Sequence, residues 1–141
     1  MTTIIAFLLD LRDFAYVHYS KRYGKVSAKS WSGYRLLFTC LFLAYYILGF
    51  TIFTRIIPHD ELFYNLKSYH PFIYYICFSV MFFSPLLIAC HWVLKKLEII
   101  QPLYYKSASS DYSRKEWRGW TTLVFGWVLF FLFFWILNHI N

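Results

Sequence analysis

Three long runs of uncharged residues alternate with short charged segments along this chain. The runs contain no Asp, Glu, Lys or Arg, and they cover residues 36–54, 71–94 and 119–137. At about 1.5 Å per helical residue, the shortest run is close to the roughly 30 Å thickness of a bilayer's hydrocarbon core. We therefore predict an all-α integral membrane protein, a single membrane domain over residues 1–141. Its three transmembrane helices cover residues 36–57, 71–100 and 113–138.

The first 20 residues show a helical pattern of a different kind. Apolar side chains recur at spacings of three and four residues, at Ile4, Phe7, Leu8, Leu11, Phe14 and Ala15. Asp10 and Asp13 fall opposite this face, with Arg12 to one side. The uncharged stretch before Asp10 is too short to cross a bilayer. The pattern therefore predicts an amphipathic helix over residues 1–20 that lies flat at the membrane interface.

The charges between the runs predict the orientation of the chain. Six basic and two acidic residues precede residue 36, and six basic and three acidic residues occur between residues 95 and 118. The loop over residues 55–70 is balanced instead, with Arg55 and Lys67 against Asp60 and Glu61. Because basic segments stay inside, we predict a cytoplasmic N-terminus, an external C-terminus and a multi-pass location in the cell inner membrane.

The composition agrees with a membrane protein and argues against a soluble one. The chain is 60% hydrophobic, 25% aromatic and 15% charged, whereas soluble domains are about 25% charged. Its net charge of +7 would indicate nucleic-acid binding in a soluble protein. Here the basic residues flank apolar runs, so topology and anionic lipid headgroups explain the charge better, and no nucleic-acid partner is expected.

A few polar side chains lie inside the predicted spans and are candidate contacts. Tyr45 and Tyr46 fall at the middle of the first span, where a phenol needs a hydrogen-bond partner because lipid offers none. Ser79 and Ser84 of the second span are suitable partners, and His91 lies near its cytoplasmic end. No Asp, Glu, Lys or Arg occurs within the three uncharged runs, which argues against a transporter or proton channel.

The third span carries a stripe of large side chains. We predict an interaction stripe of Trp120, Trp127, Phe131 and Phe134, which share one face of the helix. The close-packing motif GxxxG is absent, because neither Gly49 nor Gly126 has a second glycine four residues away. Helix packing should therefore depend on interlocking aromatic and aliphatic side chains.

No motif for catalysis, phosphate binding or metal binding is recognisable. His59, Asp60, Glu61 and His70 have acceptable ligand types, but their spacing matches no established metal motif. We therefore predict a small non-enzymatic inner-membrane protein without a cofactor. It would act by helix–helix contact with another integral membrane protein, either as an accessory subunit or as an immunity protein against a membrane-acting toxin. Immunity proteins of pore-forming colicins are similar in size, span number and aromatic content.

Two alternatives from other classes remain open. One is a homo-oligomeric pore or membrane-disrupting effector, although no span has a continuous polar stripe to line water. The other is a haem- or quinone-binding anchor subunit of a respiratory complex, with His91 as an axial ligand of haem b. The anchors of succinate dehydrogenase resemble this chain in having three spans and an internal N-terminus. Their quinone-site signature is not reproduced in residues 29–33.

Overall fold

Helices make up every regular element in the part of the chain that this computed structural model describes, residues 3–29, 33–56 and 71–140. Residues 57–70 of the loop predicted over residues 55–70 lie outside the described residues. The helices are α1 (Thr3–Tyr23), α2 (Lys25–Lys29), α3 (Tyr34–Ile56), α4 (Pro71–Ile100), α5 (Tyr105–Ala108) and α6 (Tyr112–Ile140).

Three of the described helices are long and apolar enough to cross a membrane, which confirms the predicted number of spans. The apolar segments are Tyr34–Ile52 in α3, Pro71–Ile100 in α4 and Tyr112–His139 in α6. α4 continues through Pro85 and ends at Ile100, two residues before Pro102. α6 begins at Tyr112, directly after Asp111, whose φ of 49° lies in the left-handed region.

The contacts between helices define their relative directions. Tyr34, at the start of α3, hydrogen-bonds Glu98 near the end of α4, and Tyr46 hydrogen-bonds Phe82 near the middle of α4. α3 and α4 are therefore antiparallel. Tyr45 of α3 hydrogen-bonds the carbonyl of Thr122, so the middle of α3 lies beside the first half of α6.

The N-terminal helix α1 lies at the centre of the packing. Leu11, Ala15, Tyr16 and Val17 are at most 1% exposed, and α1 contacts α3, α4, α5 and α6. The charged side chains predicted on an outward polar face are buried as well: Asp10, Arg12 and Asp13. That part of the prediction was wrong, because the first turns of α6 supply cations for Asp10 and Asp13, and the end of α4 supplies carbonyl acceptors for Arg12.

Apolar side chains occupy the N-terminal end of α1 and charged side chains begin at Asp10, so its polarity changes along the helix axis. Phe7 lines a groove with Tyr45 from the middle of α3, whereas Tyr16 packs edge-on against Tyr34 at the start of α3. α1 therefore runs antiparallel to α3, with its apolar N-terminal end toward the middle of the span. A flat position at the membrane interface stays a prediction, and this packing favours a helix aligned with the spans.

Two glycines of α6, seven residues apart, make room for aromatic rings. A Cβ atom on Gly126 would lie 2.6 Å from Cε2 of Tyr45, and one on Gly119 would overlap the ring of Phe14. These close contacts are with aromatic rings and do not require the GxxxG motif, which the chain lacks. Residues seven apart share a helix face, so one face of α6 packs against the ring of Phe14 from α1 at Gly119 and against the ring of Tyr45 from α3 at Gly126.

Replacing Gly126 by Leu should destabilise the protein, because the ring of Tyr45 is held by its hydrogen bond to Thr122 and has little freedom to move. The expected loss is about 1–3 kcal/mol, measured by SDS unfolding in mixed micelles with far-UV circular dichroism. Gly49→Leu is the matched control, since nothing lies within 4 Å of a Cβ atom there. Equal effects of the two substitutions would contradict the close contact between Gly126 and the ring of Tyr45.

Spin labels at the two ends of α1 should report different depths in a bilayer. Ile4 and Lys21 are both exposed positions, and each is changed to Cys in a background lacking Cys40, Cys77 and Cys90. In reconstituted protein, we expect the label at position 4 to be accessible to oxygen and shielded from a water-soluble nickel reagent. The label at position 21 should show the reverse. A helix lying flat would give similar depths at both positions.

Candidate functional site

A buried ionic cluster joins α1 to α6 and to the C-terminal end of α4. Its centre is Asp13, which is 2% exposed. Oδ1 of Asp13 accepts hydrogen bonds from Nη2 of Arg12 at 2.6 Å and from its Nε at 3.0 Å. Oδ2 accepts from Nζ of Lys115 at 3.0 Å. One carboxylate of α1 is therefore the counter-charge shared by two buried cations.

The same two cations also bind backbone carbonyls at the ends of two helices. Nη1 of Arg12 donates to the carbonyls of Leu97, at 3.2 Å, and Gln101, at 2.6 Å, at the end of α4. Nζ of Lys115 donates to the carbonyls of Ser107 and Ala108 at the end of α5, at 3.3 and 3.2 Å. Helix C-termini carry unpaired carbonyls and partial negative charge, so a cation there is doubly favourable.

Asp10 extends this cluster toward the surface of α6. Its Oδ2 accepts a hydrogen bond from Nη1 of Arg118, and its Oδ1 lies 3.9 Å from Nη2 of Arg114. Arg114 also lies 4.0 Å from the exposed carboxylate of Asp111. The side chains of Arg118 and Arg114 are 39% and 58% exposed. Two partly exposed arginines therefore share one buried carboxylate, and the cluster as a whole holds four cations against the three carboxylates of Asp10, Asp13 and Asp111.

Tyrosines surround the cytoplasmic side of the cluster, on the predicted orientation. The ring of Tyr16 meets those of Tyr34 and Tyr105 edge-on, at centroid distances of 5.6 and 6.4 Å. Burial raises the pKa of the Tyr16 phenol, and the neighbouring Tyr105 acts in the same direction. Tyr16 therefore stays neutral and serves as packing for α1.

The two midspan tyrosines find partners across helices, as predicted, but the partners differ from those expected. The hydroxyl of Tyr45 donates to the carbonyl of Thr122 at 2.7 Å, and that of Tyr46 donates to the carbonyl of Phe82 at 2.6 Å. Neither phenol donates to Ser79 or Ser84. Phe82 lies in the turn before Pro85, where proline disrupts the backbone hydrogen bonds, so acceptors are more accessible there.

The other predicted contacts of the second span do not form part of a shared site. Ser79 and His91 are exposed on α4, and Ser84 is half-buried. The structure therefore does not bring Tyr45, Tyr46, Ser79, Ser84 and His91 together. Tyr45 faces α6, whereas Tyr46 faces α4, because neighbouring residues on a helix point about 100° apart.

The predicted stripe on α6 lies mostly on the outer surface of the helices. Trp120, Phe131 and Phe134 are exposed, and Trp127 is half-buried. Trp120 differs from the others because its ring also contacts Phe14 and His18 of α1, at centroid distances of 5.8 and 5.7 Å. From Trp127 onward, the rings of the stripe contact aromatic rings of α6 itself.

The ionic cluster was not predicted, although the sequence contains a signal for it. Residues two positions apart on a helix point about 160° away from each other, so Asp10 and Arg12 cannot share one polar face. A helix with charges on nearly opposite sides needs polar partners on both sides. Lys115 gave no comparable signal, because the first turns of the predicted third helix read as an ordinary basic flank of a span.

Comparisons with protein-family models, with curated proteins and with solved structures found no match for this chain. The functional argument therefore depends on the geometry of the described residues. Two features carry it: the buried ionic cluster and the exposed aromatic surfaces of the spanning helices.

Asp13→Asn should be strongly destabilising, because it leaves Arg12 and Lys115 buried without their shared counter-charge. Breaking a buried ion pair from one side costs about 3–5 kcal/mol. SDS unfolding in mixed micelles measures this loss. Asp111→Asn is the control with the same chemical change, and its exposed carboxylate should contribute less than about 1 kcal/mol. A small effect of Asp13→Asn would show that the cluster is not required for the fold.

Proposed function

We propose that this protein is a small non-enzymatic protein of the inner membrane that binds another integral membrane protein through helix–helix contact. It acts as an accessory subunit or as an immunity protein. The observation that carries the proposal is an exposed, self-ordered aromatic surface on the outer half of α6, defined by Trp127, Phe130, Phe131 and Phe134 and called here the α6 aromatic face.

The rings of the α6 aromatic face contact one another along the helix. Trp127 lies 5.7 Å from Phe130 and 6.1 Å from Phe131, and Phe130 lies 5.3 Å from Phe134. Association of helices in lipid depends on close packing, because lipid removes the hydrophobic driving force. A surface whose side chains are already ordered loses less entropy on binding, which favours its use as a docking surface.

The ionic cluster supports this proposal from the opposite end of the molecule. It joins α1, α4, α5 and α6 through Arg12, Asp13 and Lys115. The first turns of α6 are thereby fixed to α1 and α5, and Gly126 at its middle packs against Tyr45 of α3. Beyond this point, Phe131 and Phe134 of the aromatic face are exposed. The buried charged groups are also occupied with one another and with carbonyls, which favours a structural role for them over a catalytic one.

Photocrosslinking from two positions of α6 tests the proposed contact. Phe134 and Ile136 are 45% and 44% exposed, lie at similar depth, and point about 160° apart. A benzophenone amino acid at position 134 should yield a discrete crosslinked product in native membranes. The same group at position 136 should yield little or none, because it faces away from the α6 aromatic face.

The identity of the crosslinked product decides between a partner and a second copy. Mass spectrometry should find another integral membrane protein in the product from position 134. A product that contains only two copies of this chain would contradict the proposal and favour a homo-oligomer. Equal crosslinking from both positions, or none from either, would show that the α6 aromatic face merely contacts lipid.

A further inference from the structure

An open groove runs between α1, α3 and α6, close to the positively charged surface formed by Arg114 and Arg118. Its volume is about 500 Å³. The lining residues come from all three helices, and they are Phe7, Phe42, Tyr45, Thr121, Thr122 and Phe125. Five of the six belong to the apolar segments of α3 and α6 that are long enough to cross a membrane. The groove therefore opens where a bilayer would supply its contents.

The polar groups that line the groove are already occupied. The hydroxyl of Tyr45 donates to the carbonyl of Thr122. The hydroxyl of Thr122 donates to the carbonyl of Arg118 at 2.7 Å, and that of Thr121 donates to the carbonyl of Trp117 at 2.8 Å. A ligand in the groove would find aromatic and methyl surface with no free hydroxyl donor, which suits a hydrocarbon chain better than a quinone ring.

The end of the groove nearest the ionic cluster is positively charged. Arg118 precedes Thr121 and Thr122 by one helical turn, and Arg114 precedes Arg118 by another, so all four share one side of α6. The two arginines compete for one buried carboxylate, that of Asp10, and the exposed Asp111 lies 4.0 Å from Arg114 alone. Guanidinium groups bind phosphate through paired hydrogen bonds.

We infer that this groove is a binding site for one anionic phospholipid of the leaflet that contacts the ionic cluster. An acyl chain lies along Phe7, Tyr45 and Phe125, and the headgroup phosphate binds Arg114 and Arg118. The apolar floor with no free donor and the surplus positive charge at its end together match an anionic lipid. Neither feature depends on the proposed protein partner.

Native mass spectrometry of the detergent-purified full chain tests this site. Phosphatidylglycerol and phosphatidylcholine with identical acyl chains are added separately, and the one-lipid complex is titrated. We expect wild-type protein to bind phosphatidylglycerol more tightly. Arg114→Gln should weaken that complex about fivefold, the effect of one basic residue near an anionic headgroup, and leave phosphatidylcholine unchanged. Lys106→Gln, an equal loss of charge at an exposed position of α5, should have little effect.

A second variant tests the groove itself. Thr121→Phe places a ring in the groove and should reduce binding of both lipids, whereas Val124→Phe, at an exposed position outside the groove lining, should not. All variants are first shown to unfold at the wild-type SDS concentration. Equal binding of both lipids by the wild type, equal losses for Arg114→Gln and Lys106→Gln, or unchanged binding by Thr121→Phe would each overturn the proposal.

Discussion

The carboxylate of Asp13 is the contact on which the arrangement of the helices depends. Burying an isolated charge costs several kcal/mol, so Arg12 and Lys115 are tolerated in the interior only where their partners are fixed. Asp13 supplies the counter-charge for both, and helix carbonyls of α4 and α5 supply the remaining acceptors. Apolar packing alone would allow α1 to rotate or slide. The ion pairs define its depth and its direction.

The ion pairs hold the helices together at one end of the molecule, which is polar and closely packed. At the other end, the C-terminal half of α6 carries exposed aromatic side chains. Lipid solvates apolar surface without penalty, so the outer half of α6 need not be covered by the protein itself. The same charges have a second consequence. Because the cluster holds four cations against the three carboxylates of Asp10, Asp13 and Asp111, it carries surplus positive charge beside an apolar groove.

The spanning helices could be predicted from the sequence because their signal is local. Each contains an uncharged run about as long as a bilayer requires or longer, and charged residues or prolines lie at its ends, as Pro71 and Lys95 do for the run in α4. The need of Tyr45 and Tyr46 for partners was equally local. Which partners they bind was not, because backbone carbonyls are present at every position and only the packing of helices selects among them.

The position of α1 could not be predicted, because it depends on contacts between residues about 100 positions apart in sequence. Asp13 and Lys115 form such a pair. An amphipathic pattern was read from spacing alone, and that reading assumed that the charges of α1 face water. The closeness of Gly126 to Tyr45 was also invisible, since a glycine that receives a ring looks the same in sequence as one such as Gly49 that receives none.

A double-mutant cycle between Asp13 and Lys115 tests the central claim most directly. Unfolding free energies are measured for wild type, Asp13→Asn, Lys115→Met and the double variant under one set of detergent conditions. Residues in direct contact within an ion-pair network show coupling energies of about 0.5–3 kcal/mol. We expect a favourable coupling of about 1 kcal/mol or more for this pair. Additive effects of the two substitutions would show that α1 is not held against α6 by this ion pair and would contradict the account.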